Sequence, residues 1–120
     1  MAKKILIVDD SPTERYFLNE LLVRHGYIVS VAENAEEAQA KLKAQVPDLI
    51  LMDVVMPGLN GFQFTRQLSR DPATQNIPVI MCTSKGQQTD RIWGLRQGAR
   101  DYVTKPVKTE ELLQKIAALV

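Results

Sequence analysis

The chain has 120 residues, 45% of them apolar and 24% charged, which suits one compact domain with its own core, leaves no room for a second and gives no expectation of disorder. A net charge of +1 gives no overall attraction to nucleic acid or to an acidic membrane surface. The lone cysteine, Cys82, excludes an internal disulfide, and no apolar run approaches the roughly 18–20 residues of a membrane span, so the cytoplasm is the expected location.

Ile5-Leu6-Ile7-Val8 opens the chain as a short unbroken apolar run. It follows Lys3 and Lys4 but is shorter than the roughly 7–15 apolar residues of a signal peptide. Ser11, Pro12 and Glu14 then supply an N-cap, a first-turn proline and an acidic N3 residue. The helix they open carries Phe17, Leu18, Leu21 and Leu22 on one face and stops at Gly26. Tyr27 to Ala32 mixes polar and apolar residues, as an edge strand does. Asn34 opens a second helix with the stripe Ala35, Ala38 and Leu42, and Pro47 lies beyond it. Leu49-Ile50-Leu51-Met52 is the next apolar run, followed by a helix marked by Phe64 and Leu68 and closed at Asp71-Pro72. Val79-Ile80-Met81-Cys82 precedes a fourth helix with Ile92 and Leu95 as its stripe, ending near Gly98. Tyr102 to Thr104 reads as another edge strand, and Leu112, Leu113, Ile116 and Leu119 mark a fifth helix.

Unbroken apolar runs imply strands covered on both faces, hence a parallel sheet between helices. Strand and helix alternate five times, and right-handed crossovers then give an α/β, doubly wound, flavodoxin-like (βα)5 fold. Three central and two edge strands predict a five-stranded parallel sheet in the order 2-1-3-4-5.

In such sheets ligands bind beyond the carboxyl ends of the strands. Asp9 and Asp10 follow the first strand, Asp53 the third, Thr83 and Ser84 the fourth, and Lys105 the fifth. Two carboxylates about 4 Å apart repel by roughly 4 kcal/mol at an effective dielectric of about 20. Three together therefore take up a proton or recruit a cation, and all-oxygen ligands favour Mg2+ over zinc. The only histidine, His25, ends the first helix, far in sequence from these groups. Lys105 can neutralise an anion at the metal, the Thr83 hydroxyl can donate to one of its oxygens, and the Ser84 amide to another. A carboxylate nucleophile, Mg2+ and a lysine are the parts that in-line phosphoryl transfer requires. Asp53, alone at the end of the central strand and followed by Val54-Val55-Met56-Pro57, is the expected acceptor. Of the adjacent Asp9 and Asp10, one can ligate the ion directly while the other acts through water.

Val8-Asp9-Asp10-Ser11, Met52-Asp53-Val54-Val55-Met56-Pro57, Thr83-Ser84 and Thr104-Lys105-Pro106 together resemble the response-regulator receiver family, from about residue 3 onward. The resemblance implies that Asp10, Asp53 and the Val55 backbone carbonyl ligate Mg2+ with Asp9 nearby, and that Lys105 contacts the phosphoryl group. It also implies that Thr83 and Tyr102 form a switch pair and that Lys105-Pro106 is a cis bond. Residues 1–120 would then be one receiver domain without an output domain. It would be no turnover enzyme, catalysing only its own phosphorylation and dephosphorylation, and a monomer or weak dimer. Asp10 to Glu14, Pro57 to Gln63 and Gln97 to Tyr102 further resemble the PilH/PilG-type receivers of pilus-based twitching motility. That narrower likeness implies a CheA-like histidine kinase or phosphotransfer domain as donor. The target would be a separate protein, such as a pilus motor component, in twitching motility, phototaxis or another chemotaxis-like system. Signalling would run through the fourth and fifth helices and the fifth strand.

Rival chemistries fit less well. An aspartate-nucleophile phosphatase keeps a second aspartate two residues after the first, where this chain has Val55. A flavin phosphate would be repelled by Asp9-Asp10. Cys82 reads as strand packing and His25 as a helix-end group. Trp93 has two readings, a side chain folded onto its neighbours or part of a partner surface.

Overall fold

The computed structural model describes residues 2–120. Five strands, β1 (Lys4–Val8), β2 (Ile28–Ala32), β3 (Leu49–Met52), β4 (Val79–Thr83) and β5 (Asp101–Thr104), alternate with five helices. These are α1 (Pro12–Arg24), α2 (Ala35–Ala44), α3 (Gly61–Arg70), α4 (Gln88–Arg96) and α5 (Thr109–Leu119). The strands form one parallel sheet in the order β2-β1-β3-β4-β5, as the alternation of periods predicts.

Both faces of β3 and β4 are buried throughout, and β2 alternates between exposed and covered positions, so the contrast between apolar runs and broken ones does separate centre from edge. One core cluster joins Leu6, Val8, Ile50 and Met52 to Ala35, Ala38 and Leu42 of α2 and to Phe64 and Leu68 of α3. The other joins Ile5, Ile7, Leu51 and Ile80 to Leu18 and Leu22 of α1 and to Leu112 and Ile116 of α5. Each buried aliphatic side chain contributes roughly 1.5–3 kcal/mol, so the two layers hold the sheet from both sides.

Ladder register positions the strand ends. Val8 stands opposite Ala32 and Met52, Met52 opposite Met81, and Thr83 opposite Thr104. The ladder runs one step beyond β3, where the Asp53 amide donates to the Val8 carbonyl at 2.9 Å. Asp9 and Asp53 therefore emerge side by side, with Thr83 and then Lys105 stepping outward along the next two strands at the same end of the sheet.

The helix starts follow their caps. Ser11 Oγ accepts from the Glu14 amide at 3.3 Å, and Asn34 Oδ1 from the Glu37 amide at 2.8 Å. Glu14 does not complete a capping box, because the Ser11 amide already donates to Asp9 Oδ1 at 2.9 Å. A full box opens α3 instead, between Asn60 and Gln63. Gly26 and Gly98, at φ 87° and 115°, end α1 and α4 in the left-handed region that favours glycine.

Two of the expected helix faces differ. Phe17 is 41% exposed, and α1 buries Leu18 and Leu22 only. In α4 neither Ile92 nor Leu95 forms a buried stripe; Ile92, Trp93 and Leu95 are all exposed, and Gly94 alone is buried. The Tyr102 ring occupies the space beneath α4: a methyl group on Gly94 would sit 3.2 Å from that ring and 3.3 Å from Met81 Sδ. Aromatic bulk from β5 thus replaces the aliphatic face that a helix of this position would otherwise bury.

Candidate functional site

Carboxylate oxygens of Asp9, Asp10 and Asp53 lie within 4.8 Å of one another at the carboxyl end of the sheet. Asp9 and Asp53 are buried and Asp10 is exposed. Lys105 reaches into this cluster from the end of β5. Its Nζ donates to Asp9 Oδ2 at 2.7 Å and stands 3.6 Å from Asp53 Oδ2. The Lys105–Pro106 bond is cis, and the Lys105 amide donates to the Thr83 carbonyl at 2.8 Å, which fixes the loop to β4.

The electrostatics follow from this packing. Burial pushes the Asp53 carboxyl above its ordinary value, and the neighbouring Asp9 charge adds to that. The Thr83 hydroxyl, the Lys105 ammonium and the Val54 amide, which donates to Oδ1 at 2.8 Å, pull the other way. Burial also disfavours the Lys105 ammonium, but hydrogen bonding to Asp9 and the charges of Asp53 and Asp9 outweigh it and hold that pKa above normal. One cation thus serves two carboxylates. The cluster has oxygen donors only, with one exposed member open to solvent, which fits a hard divalent cation rather than zinc.

The other predicted residues fall around this centre. Thr83 is fully buried at the end of β4, and its Oγ1 accepts from the Lys85 amide at 3.4 Å. Ser84, next in the chain, is exposed. Val55 is 56% exposed, between the buried Val54 and Met56. Tyr102 is turned inward, its ring in a small cluster with Val54, Met81 and Ala99 and its hydroxyl donating to the Lys85 carbonyl. Arg91 of α4 covers the same ring, 5.6 Å from its centroid. Tyr102 and Thr83 therefore both contact the loop between β4 and α4, one at the Lys85 carbonyl and the other at its amide.

Some residues that shape the site were not singled out by the sequence. Gly61 packs directly beneath the loop after β3. Its amide donates to the Val54 carbonyl at 2.8 Å, and a methyl group there would overlap the Asp53 carbonyl and stand 2.8 Å from Val54 Cα. Asn60 with Gln63 three residues later is the sequence signal that a helix begins there. Arg15 of α1 donates to the Asp9 carbonyl at 2.8 Å and to Glu33 at 3.2 Å. No periodic pattern marks either contact.

A family model described as the response regulator receiver domain matches residues 5–117. The chain belongs to the response-regulator receiver family. The receiver is 57% identical over 117 residues to protein PilH of Pseudomonas aeruginosa, covering 98% of this chain and 97% of that protein. It is 42% identical to the phosphate regulon regulator PhoB of the same species, spanning 52% of PhoB's length. Among solved structures, the chemotaxis protein CheY4 of Vibrio cholerae superposes with a TM-score of 0.93 at 30% identity over the whole of both chains. The receiver domain of the P. aeruginosa sensor kinase PA1611, solved with magnesium in its active-site cleft, gives 0.89 at 30% identity, covering 99% of this chain and 98% of that one. The flavodoxin-like order, the receiver family and the likeness to PilH are thus all found.

Proposed function

We propose that the receiver accepts a phosphoryl group on Asp53 from a phosphohistidine of a CheA-like kinase or phosphotransfer domain. In that step an Asp53 carboxylate oxygen attacks phosphorus, the P–N bond breaks, and the imidazole leaves with the bonding pair. The product is an acyl phosphate. Asp9, Asp10, Asp53 and the Val55 backbone carbonyl would hold Mg2+, which supplies charge neutralisation for the phosphoryl oxygens when bound. Lys105 neutralises the phosphoryl group from the other side, the Thr83 hydroxyl donates to one of its oxygens, and the Ser84 amide to another. Partial burial keeps bulk water from competing for these contacts.

Phosphorylation draws Thr83 toward Asp53 and takes the loop after β4 with it, while Tyr102 packs behind. The surface of α4, β5 and α5 then changes toward a separate target protein in the cytoplasm. The convergence of three carboxylates and Lys105 at one rim carries this reading. Incubation with acetyl phosphate and Mg2+ should add one phosphoryl group by intact-mass measurement, and Asp53→Asn should add none. An adduct that persists in Asp53→Asn would overturn the assignment of the acceptor.

We further propose pilus-based twitching motility as the process served, on the strength of the 57% identity to PilH. A chromosomal Asp53→Asn strain should be altered in surface twitching and normal in flagellar swimming. The reverse pattern would favour another chemotaxis-like system.

A further inference from the structure

The three carboxylates of the cluster are not held alike. Asp9 is committed at both oxygens, Oδ1 to the Ser11 amide at 2.9 Å and Oδ2 to Lys105 at 2.7 Å. Asp53 Oδ1 accepts from its neighbour's amide at 2.8 Å. Asp10 is exposed, and no hydrogen bond or ion pair fixes its side chain among the described residues. Where its carboxylate points therefore depends on the peptide plane that joins it to Asp9. One atom of that plane, the Asp9 carbonyl oxygen, is held by Arg15 Nη1 at 2.8 Å. The Arg15 side chain is only 14% exposed, and its Nη2 donates at 3.2 Å to Glu33, in the turn after β2. The guanidinium thus bridges two neighbouring strand-end turns, a task its fixed fork performs and a single ammonium does not.

We infer that Arg15 is a positioning residue for the divalent cation: by fixing the Asp9–Asp10 peptide it aims the otherwise untethered Asp10 carboxylate into the cluster. The inference rests on the reading of Asp9, Asp10 and Asp53 as a cation site. Two effects of Arg15 on that site have opposite sign, and this makes the role testable. As a nearby positive charge, Arg15 repels a bound cation, so its loss by Coulomb's law alone tightens binding. As an orienting group behind a ligand, its loss weakens binding, by about tenfold at the low end of what such partners contribute.

The test is a Mg2+ titration of the full chain without phosphodonor, followed by amide chemical shifts, for the wild type, Arg15→Ala, Arg15→Lys and Asp10→Asn. The wild type should saturate, and Arg15→Ala should weaken the Kd about tenfold despite the gain in net negative charge. Arg15→Lys keeps the charge and the aliphatic stem but not the bridge, so it should weaken binding as well, and it serves if Arg15→Ala does not fold. Urea unfolding without Mg2+ separates loss of stability from loss of affinity. A folded variant that binds Mg2+ as tightly as the wild type, or more tightly, overturns the inference while leaving the cation site standing. A wild type that shows no saturable binding overturns the cation reading and the inference together. Asp10→Asn should weaken binding whatever Arg15 does, and if it does not, Asp10 is no ligand and the inference falls.

Discussion

Cys82 and Thr83 follow one another at the end of β4 and are both buried, yet they serve opposite faces of the sheet. Cys82 packs into the layer with α1 and α5, where burial pushes its thiol from 9.0 up to about 12. An acid whose folded pKa lies above its unfolded value binds its proton more tightly when native, so stability is intact below pH 9.0 and falls as pH rises from there toward about 12. The same shift withholds the thiolate, the reactive species. Iodoacetamide should therefore leave native protein unlabelled at pH 8 and label it fully in urea at the same pH; rapid native labelling would show that the thiol is accessible. Residue-scale legibility was uneven for a physical reason. Asp9, Asp10, Asp53, Thr83 and Lys105 were legible because each lies within two residues of a strand's carboxyl end, and the fold rule says where strand ends converge. Arg15 and Gly61 act through contacts that depend on how a helix lies against a loop, and spacing along the chain does not encode that.

Gly61 shows how an element can be specified by what is missing from it. Helix α3 begins against the backbone that follows β3, and only a residue without a β-carbon allows its first turn so close to Asp53 and Val54. The neighbouring atoms are backbone, so they cannot rotate away. Gly61→Ala is expected to cost at least the 1–3 kcal/mol or so of an overpacked site, and to slow phosphorylation by shifting Asp53. Urea unfolding and the rate of the mass adduct measure the two effects, and an Ala variant with wild-type values for both would refute the close approach. Helix α4 departs furthest from the face that its sequence predicts. Ile92 and Leu95 have the spacing of a buried stripe, but periodicity reports amphipathicity and not which side meets the core. The Tyr102 ring, supplied by a strand ten residues downstream of Ile92, already fills the space. The apolar side of α4 is thereby turned outward, with Trp93 49% exposed, which favours the partner-surface reading of that residue.

Across the whole molecule, class and strand order were legible because two hydrophobic periods alternate cleanly, and because handedness leaves few ways to connect parallel strands. Which helices would be held tightly was not legible, since that depends on the distribution of buried side chains among the layers. The two large clusters flank the sheet and engage α1, α2, α3 and α5, whereas the third has only four buried members, Val54, Met81, Ala99 and Tyr102. Free energy of opening should divide along the same lines. Native-state hydrogen–deuterium exchange is expected to release the amides of Arg91 to Arg96 through a partial opening well below the global unfolding free energy, while the β1, β3 and β4 amides exchange only on complete unfolding. Equal protection of α4 and β4 would mean that the molecule opens as one unit. If the two differ, the helix that carries the exposed tryptophan can part from the sheet while the acidic cluster stays assembled.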